Sequence, residues 1–204
     1  MSRSKGVISA AVFVILTIAL FFGAWQLFLR PAQEKRMYPC GHSSLVEKYS
    51  AEYSLPPELV YAIIRTESSF REDAVSSAGA KGLMQITDDT NDWIARVMGE
   101  KSWFDESEKS SNDGDSELFD PELNIRRGCF LVRYLLDEFG RVEEALAAYN
   151  AGIGRVRGWL ADAELTDENG CLEVDKIPIA ETKSYIGKVL AAETKYKKLY
   201  FETK

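Results

Sequence analysis

Histidine is nearly missing from this chain, with His42 its only copy. Cysteine is scarce as well: Cys40, Cys129 and Cys171 make an odd set with no even disulfide framework. Both shortages restrict chemistry. A Ser-His-Asp or Cys-His arrangement has little to work with when the one imidazole sits between Gly41 and a run of serines. A zinc site is equally ill supplied. Cys129 falls in the apolar series Ile125, Cys129, Val132, Leu136, Phe139 and reads as a small buried hydrophobe. Cys40 and Cys171 fall in loops, where an oxidising compartment would let them pair. Basic charge is in deficit too, 25 Lys and Arg against 32 Asp and Glu, for a net charge of −7. The first thirty residues hold three bases (Arg3, Lys5, Arg30) and no acid, so the remainder is more acidic still. Such a body excludes a phosphate-tracking nucleic-acid binder and leaves neutral polymers such as glycans open.

What the N-terminus does have is a long charge-free run, "VISAAVFVILTIALFFGAWQLFL", Val7 to Leu29. As one helix at about 1.5 Å per residue it would reach roughly 35 Å, against a hydrocarbon core of about 30 Å. The competing reading is a cleaved signal peptide with "MSRSK" as its basic start, which would make the protein secreted. No small-x-small cleavage site follows the run, and Cys40 lies too far behind it for a lipoprotein site. The expectation is therefore an uncleaved single-pass transmembrane helix over residues 1–30. Bases flank the run on both sides, so charge leaves its orientation open. Residues 31–44, with Pro31, Pro39 and Gly41, read as a linker.

The rest, 45–204, reads as one mostly α-helical domain. Leu45, Tyr49 and Tyr53 point a first helix inward; Pro57 and Glu58 suit the start of a second that runs to about Ser68. "SSAGAKG" is a loop of small residues, followed by a helix near 88–98. Residues 99–120 are acidic and serine-rich and read as a solvated loop. "FDPELNIRRGCFLVRYLLDEFG" is a helix stopped by Gly140 and apolar on more than one face, expected at the centre of the core. A helix through Val142, Ala145, Leu146 and Tyr149 ends at Gly152 and Gly154. Tyr185, Val189, Ala192, Tyr196 and Tyr200 mark a long C-terminal helix. No strand pattern or internal repeat stands out.

One residue breaks the pattern. Leu59, Ile63 and Glu67 lie at i, i+4 and i+8, so an acid continues a line of core-facing side chains. A carboxylate rarely points at a core unless it is paired or used. Paired, it would be salt-bridged to Arg65 or Arg71. Used, it would be an acid whose pKa burial raises, able to protonate a leaving glycosidic oxygen.

Three motifs bear on that choice: "ESSF…AVSSAGAKGLMQI", "AAYNAGIGRVRGWL" and "IPIAETKSYIGKVL". In this order and spacing they resemble family 1 of the soluble-lytic-transglycosylase (SLT) domains, which have a lysozyme-like fold, over about Leu45 to Tyr200. The resemblance implies cleavage of the β-1,4 bond between N-acetylmuramic acid and N-acetylglucosamine in peptidoglycan, with Glu67 as the single catalytic acid/base. It implies substrate-binding roles for Ser76, Met84, Gln85, Tyr149, Asn150, Glu181 and Tyr185. The plain alternatives are core packing for Met84 and Tyr185, a helix stripe for Tyr149, a cap for Gln85, and local turn hydrogen bonds for Ser76 and Asn150. The sequence departs from the family in "FREDAV", where a proline-containing spacer is usual, and in the length of 99–120.

Glycosidases usually need two carboxyl groups. In the scheme the resemblance implies, the substrate's acetamido oxygen stands in for the second, the C6 hydroxyl attacks C1, and a 1,6-anhydro ring forms without water, metal or cofactor. The implied partner is the peptidoglycan glycan strand, and the implied location is the cell membrane with the domain on the cell-wall side. Two other outcomes stay open: a hydrolytic muramidase on the same fold, and a non-catalytic glycan-binding part of a wall-spanning secretion or sporulation machine.

Overall fold

A computed structural model of the chain describes residues 2–100 and 116–202. It divides into two units, Met1–Pro39 and Cys40–Lys204. The first is helix α1 (Ser2–Ala24), a π-helical turn (Trp25–Leu29) and helix α2 (Arg30–Met37). Pro31 sits in the first turn of α2, where its missing N–H is no loss. Arg30 donates to Gln26 at 2.9 Å and pairs with Glu34 at 3.4 Å, so the segment expected as a linker is helical as far as Met37.

This arrangement corrects the expected transmembrane helix. Regular α-winding begins with polar Ser2, Arg3, Ser4 and Lys5 and stops at Ala24, where the helix widens into the π turn. The apolar part wound as α-helix, Val7–Ala24, reaches only about 27 Å, short of the roughly 30 Å of a hydrocarbon core. Among the described residues no helix is long and apolar enough to cross a membrane. The single-pass anchor, and the membrane contact and cell-membrane location that depended on it, have no support in the fold.

In the second unit the regular elements among the described residues are helices. Helices α3 (Ser43–Glu52) and α4 (Pro57–Glu67) come first, and a loop leads to α5 (Asp88–Val97). A 3-10 turn (Glu117–Phe119) enters α6 (Pro121–Phe139), followed by α7 (Val142–Ala151), α8 (Ile153–Leu160) and α9 (Ala180–Tyr196). The only pairings outside helices in the described residues are isolated bridges such as Val75 with Lys81 and Lys81 with Ile86. Most of the acidic stretch expected as a loop, 101–115, lies outside the described residues.

Helix α4 is the most enclosed element. Six consecutive residues, Leu59 to Ile64, are buried, as befits a helix apolar on all sides. It packs chiefly on α9, while α7 packs against both α6 and α9. Helix α6, expected at the centre, instead buries one broad face and leaves Asp137 and Glu138 exposed. Gly140 ends it with a left-handed φ of 78°. Cys129 is buried, and no disulfide joins Cys40 to Cys171.

Candidate active site

Glu67 is the last residue of α4, and the chain leaves it under local strain. Ser69 and Phe70 both take left-handed φ values, 53° and 64°, without being glycine. The last turn is closed by the Ser68 N–H on Ile64 O (3.0 Å) and the Ser69 N–H on Arg65 O (3.1 Å), and the hydroxyls of Thr66 and Ser68 donate back to Ala62 O (2.8 Å) and Ile64 O (3.1 Å). Arg71 Nε donates to Ser68 O at 3.2 Å, and no arginine is among the groups that shift Glu67. The salt-bridged alternative is thereby set aside.

Burial pushes the Glu67 carboxyl up to about 7. The Tyr185 hydroxyl beside it pulls against that rise, and the negative charge of Glu181 adds to it. Tyr185 comes from α9, its hydroxyl buried without another partner, and its ring lies parallel to that of Tyr149 from α7, 6.4 Å and 7° apart. Burial first, then the Glu67 charge, holds both phenols well above their ordinary pKa, so both stay protonated. Two neutral aromatic rings thus wall one side of a carboxyl group that is poised between its two forms at neutral pH.

The loop between α4 and α5 supplies the other expected residues, with roles divided between side chain and main chain. Met84 has no exposed surface. Its carbonyl accepts the Tyr149 hydroxyl at 2.7 Å and its N–H donates to Asn124 Oδ1 at 2.7 Å. Its side chain presses on Gly128 of α6, where an added Cβ would come within 2.2 Å of the Met84 sulfur and 2.8 Å of its Cβ. Met84 therefore positions Tyr149 from below and does not line an accessible surface. Gln85, at φ 50°, turns its amide onto Ala74 O (3.1 Å) and Gly82 O (2.9 Å), closing the loop on itself. Ser76 Oγ accepts from Ala78 N (3.2 Å) and Ala80 N (3.1 Å), the local turn bonding that serine favours. Its hydroxyl proton remains for another acceptor.

Asn150 Oδ1 accepts from the Thr182 hydroxyl of α9 at 2.7 Å, which fixes the amide and turns its NH2 the other way. Glu181, next to Thr182, is exposed. The structure therefore gathers Glu67, Tyr149, Tyr185 and the Met84 carbonyl directly, with Glu181 near enough to act on Glu67. Ser76 and Gln85 bond within their own loop. Among the described residues no group of three or more His, Cys, Asp or Glu side chains is arranged as a metal site.

Two supporting residues escaped the sequence reading. Asn124, fully buried on α6, also donates to Lys81 O (2.9 Å) and Leu118 O (2.8 Å), so one side chain pins the loop and the 3-10 turn together. A polar residue inside an otherwise buried helix face was the only signal available. Thr182, also fully buried, had no signal beyond adjacency to Glu181.

The Met84–Gly128 contact gives a first expected result. Gly128→Ala should lower stability by about 1–3 kcal/mol, read as a shifted urea midpoint with unchanged slope. Because the displaced residue carries the carbonyl that holds Tyr149, whatever turnover the site supports should fall with it.

The family model described as the transglycosylase SLT domain matches residues 44–170. The chain belongs to that family. The SLT domain is 33% identical over 162 residues to the soluble lytic murein transglycosylase of Escherichia coli strain K12, covering 78% of this chain and 23% of that protein. It is 30% identical over 176 residues to the membrane-bound lytic murein transglycosylase C of Yersinia pestis, covering 76% and 46%. The chain thus spans about a quarter of the soluble relative and under half of the membrane-bound one. Among solved structures, the 70 kDa soluble lytic transglycosylase of Escherichia coli superposes with a TM-score of 0.70 at 31% identity, covering 83% of this chain and 26% of that one. An inactive Glu-to-Gln mutant of lytic transglycosylase Slt from Pseudomonas aeruginosa gives 0.66 at 30% identity, covering 81% and 25%. These matches support the lysozyme-like fold.

Proposed function

We propose that residues 45–204 form a peptidoglycan lytic transglycosylase domain, a carbon–oxygen lyase that cuts the β-1,4 bond between N-acetylmuramic acid and N-acetylglucosamine. The observation that carries this reading is the Glu67 carboxyl, buried against Tyr149 and Tyr185 with its pKa raised to about 7. A glutamate poised there can give a proton and take one back near neutral pH. The names of the relatives, and the inactivity of one of them when a glutamate becomes glutamine, agree with it.

The steps use one acid. Protonated Glu67 donates to the glycosidic oxygen as the C1–O bond of the muramic residue breaks, and the N-acetylglucosamine side leaves as an alcohol. The substrate's own acetamido oxygen supports the positive charge at C1. Glu67, now a carboxylate, removes the proton from the C6 hydroxyl of the same sugar as that oxygen bonds to C1. The product is a 1,6-anhydro ring; no water is consumed, and Glu67 ends protonated as it began. Asn150, its carbonyl side fixed by Thr182, presents its NH2 to the sugar. Ser76 offers its hydroxyl proton, and Gln85, Glu181 and the two tyrosine rings complete the walls. Met84 serves through its main chain.

Mass spectrometry of peptidoglycan sacculi digested by the full chain tests the reaction. Anhydro-muramic ends are expected; reducing ends would assign a hydrolytic muramidase instead, and uncut sacculi a binding role. Because the free site must hold its proton to begin, kcat/KM should fall as pH rises through about 7. Tyr185→Phe removes the hydroxyl that holds the Glu67 pKa down. The alkaline limb of the pH profile should then move to higher pH, a shift that a purely structural loss of activity would not produce.

A further inference from the structure

Two features of the sequence have no part in the proposed chemistry: the single histidine, His42, and the stretch "FREDAV" (70–75) that follows Glu67. The fold brings them together. His42 Nε2 lies 3.2 Å from Glu72 Oε1. Beside that pair, Gly41 lies against the ring of Phe70, so close that an added Cβ would come within 2.9 Å of Phe70 Cδ1 and 3.5 Å of its Cε1. The ring has little room to give. It also meets Tyr61 of α4, with centroids 6.4 Å apart, and Tyr61 is buried and stacked at 5.3 Å on the buried Tyr196 of α9.

The backbone is bent on both sides of this contact. His42, Ser69 and Phe70 take left-handed φ values of 54°, 53° and 64°, with no glycine among them. Such conformations persist where surrounding contacts over-determine them. At His42 the hold comes from α3, whose first turn donates to His42 O from Leu45 N (3.0 Å) and Val46 N (2.9 Å). The loop after Glu67 is less well secured. It has no proline to fix a φ. Its turn bonds, Arg71 N to Ser68 O at 3.2 Å and Ala74 N to Arg71 O at 3.4 Å, are long. Its shape therefore depends on what Phe70 and Glu72 touch, and both lie within a few residues of the Glu67 carboxyl.

We infer that Gly41 and His42 form a strap that holds the loop at 69–72, and through it the last turn of α4, so that the Glu67 carboxyl stays in place beside Tyr149 and Tyr185. The inference rests on the proposed role of Glu67 and adds two positioning residues to it, which act through Phe70 and Glu72. Gly41 serves by its missing side chain: its own φ is not left-handed, and the nearest atoms to an added Cβ all belong to the Phe70 ring. The titratable groups that face Glu67 are Tyr149 of α7 and Glu181 and Tyr185 of α9. Neither His42 nor Glu72 is among the groups that shift it, so an effect of the strap on that carboxyl has to travel through the loop.

The test is a carbon NMR titration of the Glu67 carboxyl in the full chain carrying Gly41→Ala, together with kcat and KM on sacculi. The added methyl pushes on Phe70, loosens the last turn of α4 and lets water reach the carboxyl. The Glu67 midpoint should then fall by about one pH unit, and the alkaline limb of kcat/KM should follow it down, opposite to Tyr185→Phe. A misplacement of about 1 Å can cost about 10²-fold in rate, so a smaller one should lower kcat about three- to tenfold. KM should stay within about twofold, because Tyr149, Asn150 and Tyr185 come from α7 and α9. His42→Ala should move the midpoint and kcat the same way by less, and His42→Gln, which keeps a nitrogen donor near the place of Nε2, should restore both. A lowered urea midpoint with the parental titration would mean a merely structural role and overturns the strap. So does a parental titration in His42→Ala, or a His42→Gln no better than His42→Ala. Should Gly41→Ala fail to fold, the two His42 variants decide. An inactive parent chain, by contrast, would sink the catalytic reading, and the titrations would still decide whether the strap holds Glu67.

Discussion

Glu67→Gln abolishes glycan cleavage and, above neutral pH, makes the protein more stable. The first effect follows from removing the only proton donor and acceptor in the proposed mechanism, a step typically worth about 10²–10⁴ in rate. The second follows from linkage. The folded carboxyl has a pKa of about 7 against an ordinary 4.5, because burial disfavours its charge. Between those values the folded chain holds its proton more tightly than the unfolded one. Stability is then fully present below about pH 4.5, falls as pH rises toward 7, and levels off above it. The loss totals roughly 3 kcal/mol, and a glutamine does not incur it. Urea unfolding at pH 4 should find parent and variant alike; at pH 8 the variant should have the higher midpoint. Equal lysis by the two proteins would end the catalytic assignment. Equal stability at pH 8 would show that Glu67 is not buried in its charged form.

Asn124→Ala should be the most damaging substitution outside the catalytic residue. The side chain accepts from Met84 N and donates to the carbonyls of Lys81 and Leu118, all in a region closed to water. Truncation strands two buried backbone groups, Met84 N–H and Leu118 O, each costing about 1–3 kcal/mol when unmade, while Lys81 O loses one donor and keeps the Ile86 N–H at 3.1 Å. A total loss of about 3 kcal/mol or more is expected, because the groups cannot all find new partners. Activity should fall further than stability alone explains, since Met84 loses its anchor and with it the carbonyl that fixes Tyr149. The check is the urea midpoint together with turnover at a temperature where the variant is still folded. Asn124→Asp separates the two parts of the role: it keeps the acceptor for Met84 N and loses both donors. A near-parental Asn124→Ala would mean that the loop holds its shape by other contacts.

Much of this was legible in residue spacing. The line Leu59, Ile63, Glu67 placed an acid on the buried side of α4, and the glycines at 140 and 152 marked helix ends because φ beyond the ordinary range is needed there. What spacing could not give was the division of labour between side chain and backbone. Met84 looked like a groove residue and works through its carbonyl and N–H; Ser76 and Gln85 looked outward and hold their own loop. Asn124 was hidden because its partners are 40 residues away in sequence, for Met84, and 43, for Lys81, and a lone Asn on a helix usually faces water.

The N-terminal helix fails for a related reason. Composition reports how many apolar residues follow one another, whereas a spanning helix also has to be long and apolar enough as wound, and among the described residues none is. The π turn at Trp25–Leu29 divides a run that is continuous in sequence. The same limit applies to Cys40 and Cys171, whose compatibility in sequence says nothing of their approach, and no disulfide joins them.

The most direct measurement is a site-resolved carbon NMR titration of the Glu67 carboxyl in the full chain. A midpoint near pH 7, moving upward in Tyr185→Phe, is the expected result. A midpoint near 4.5 would contradict the account, because the acid could then hold no proton to give at neutral pH.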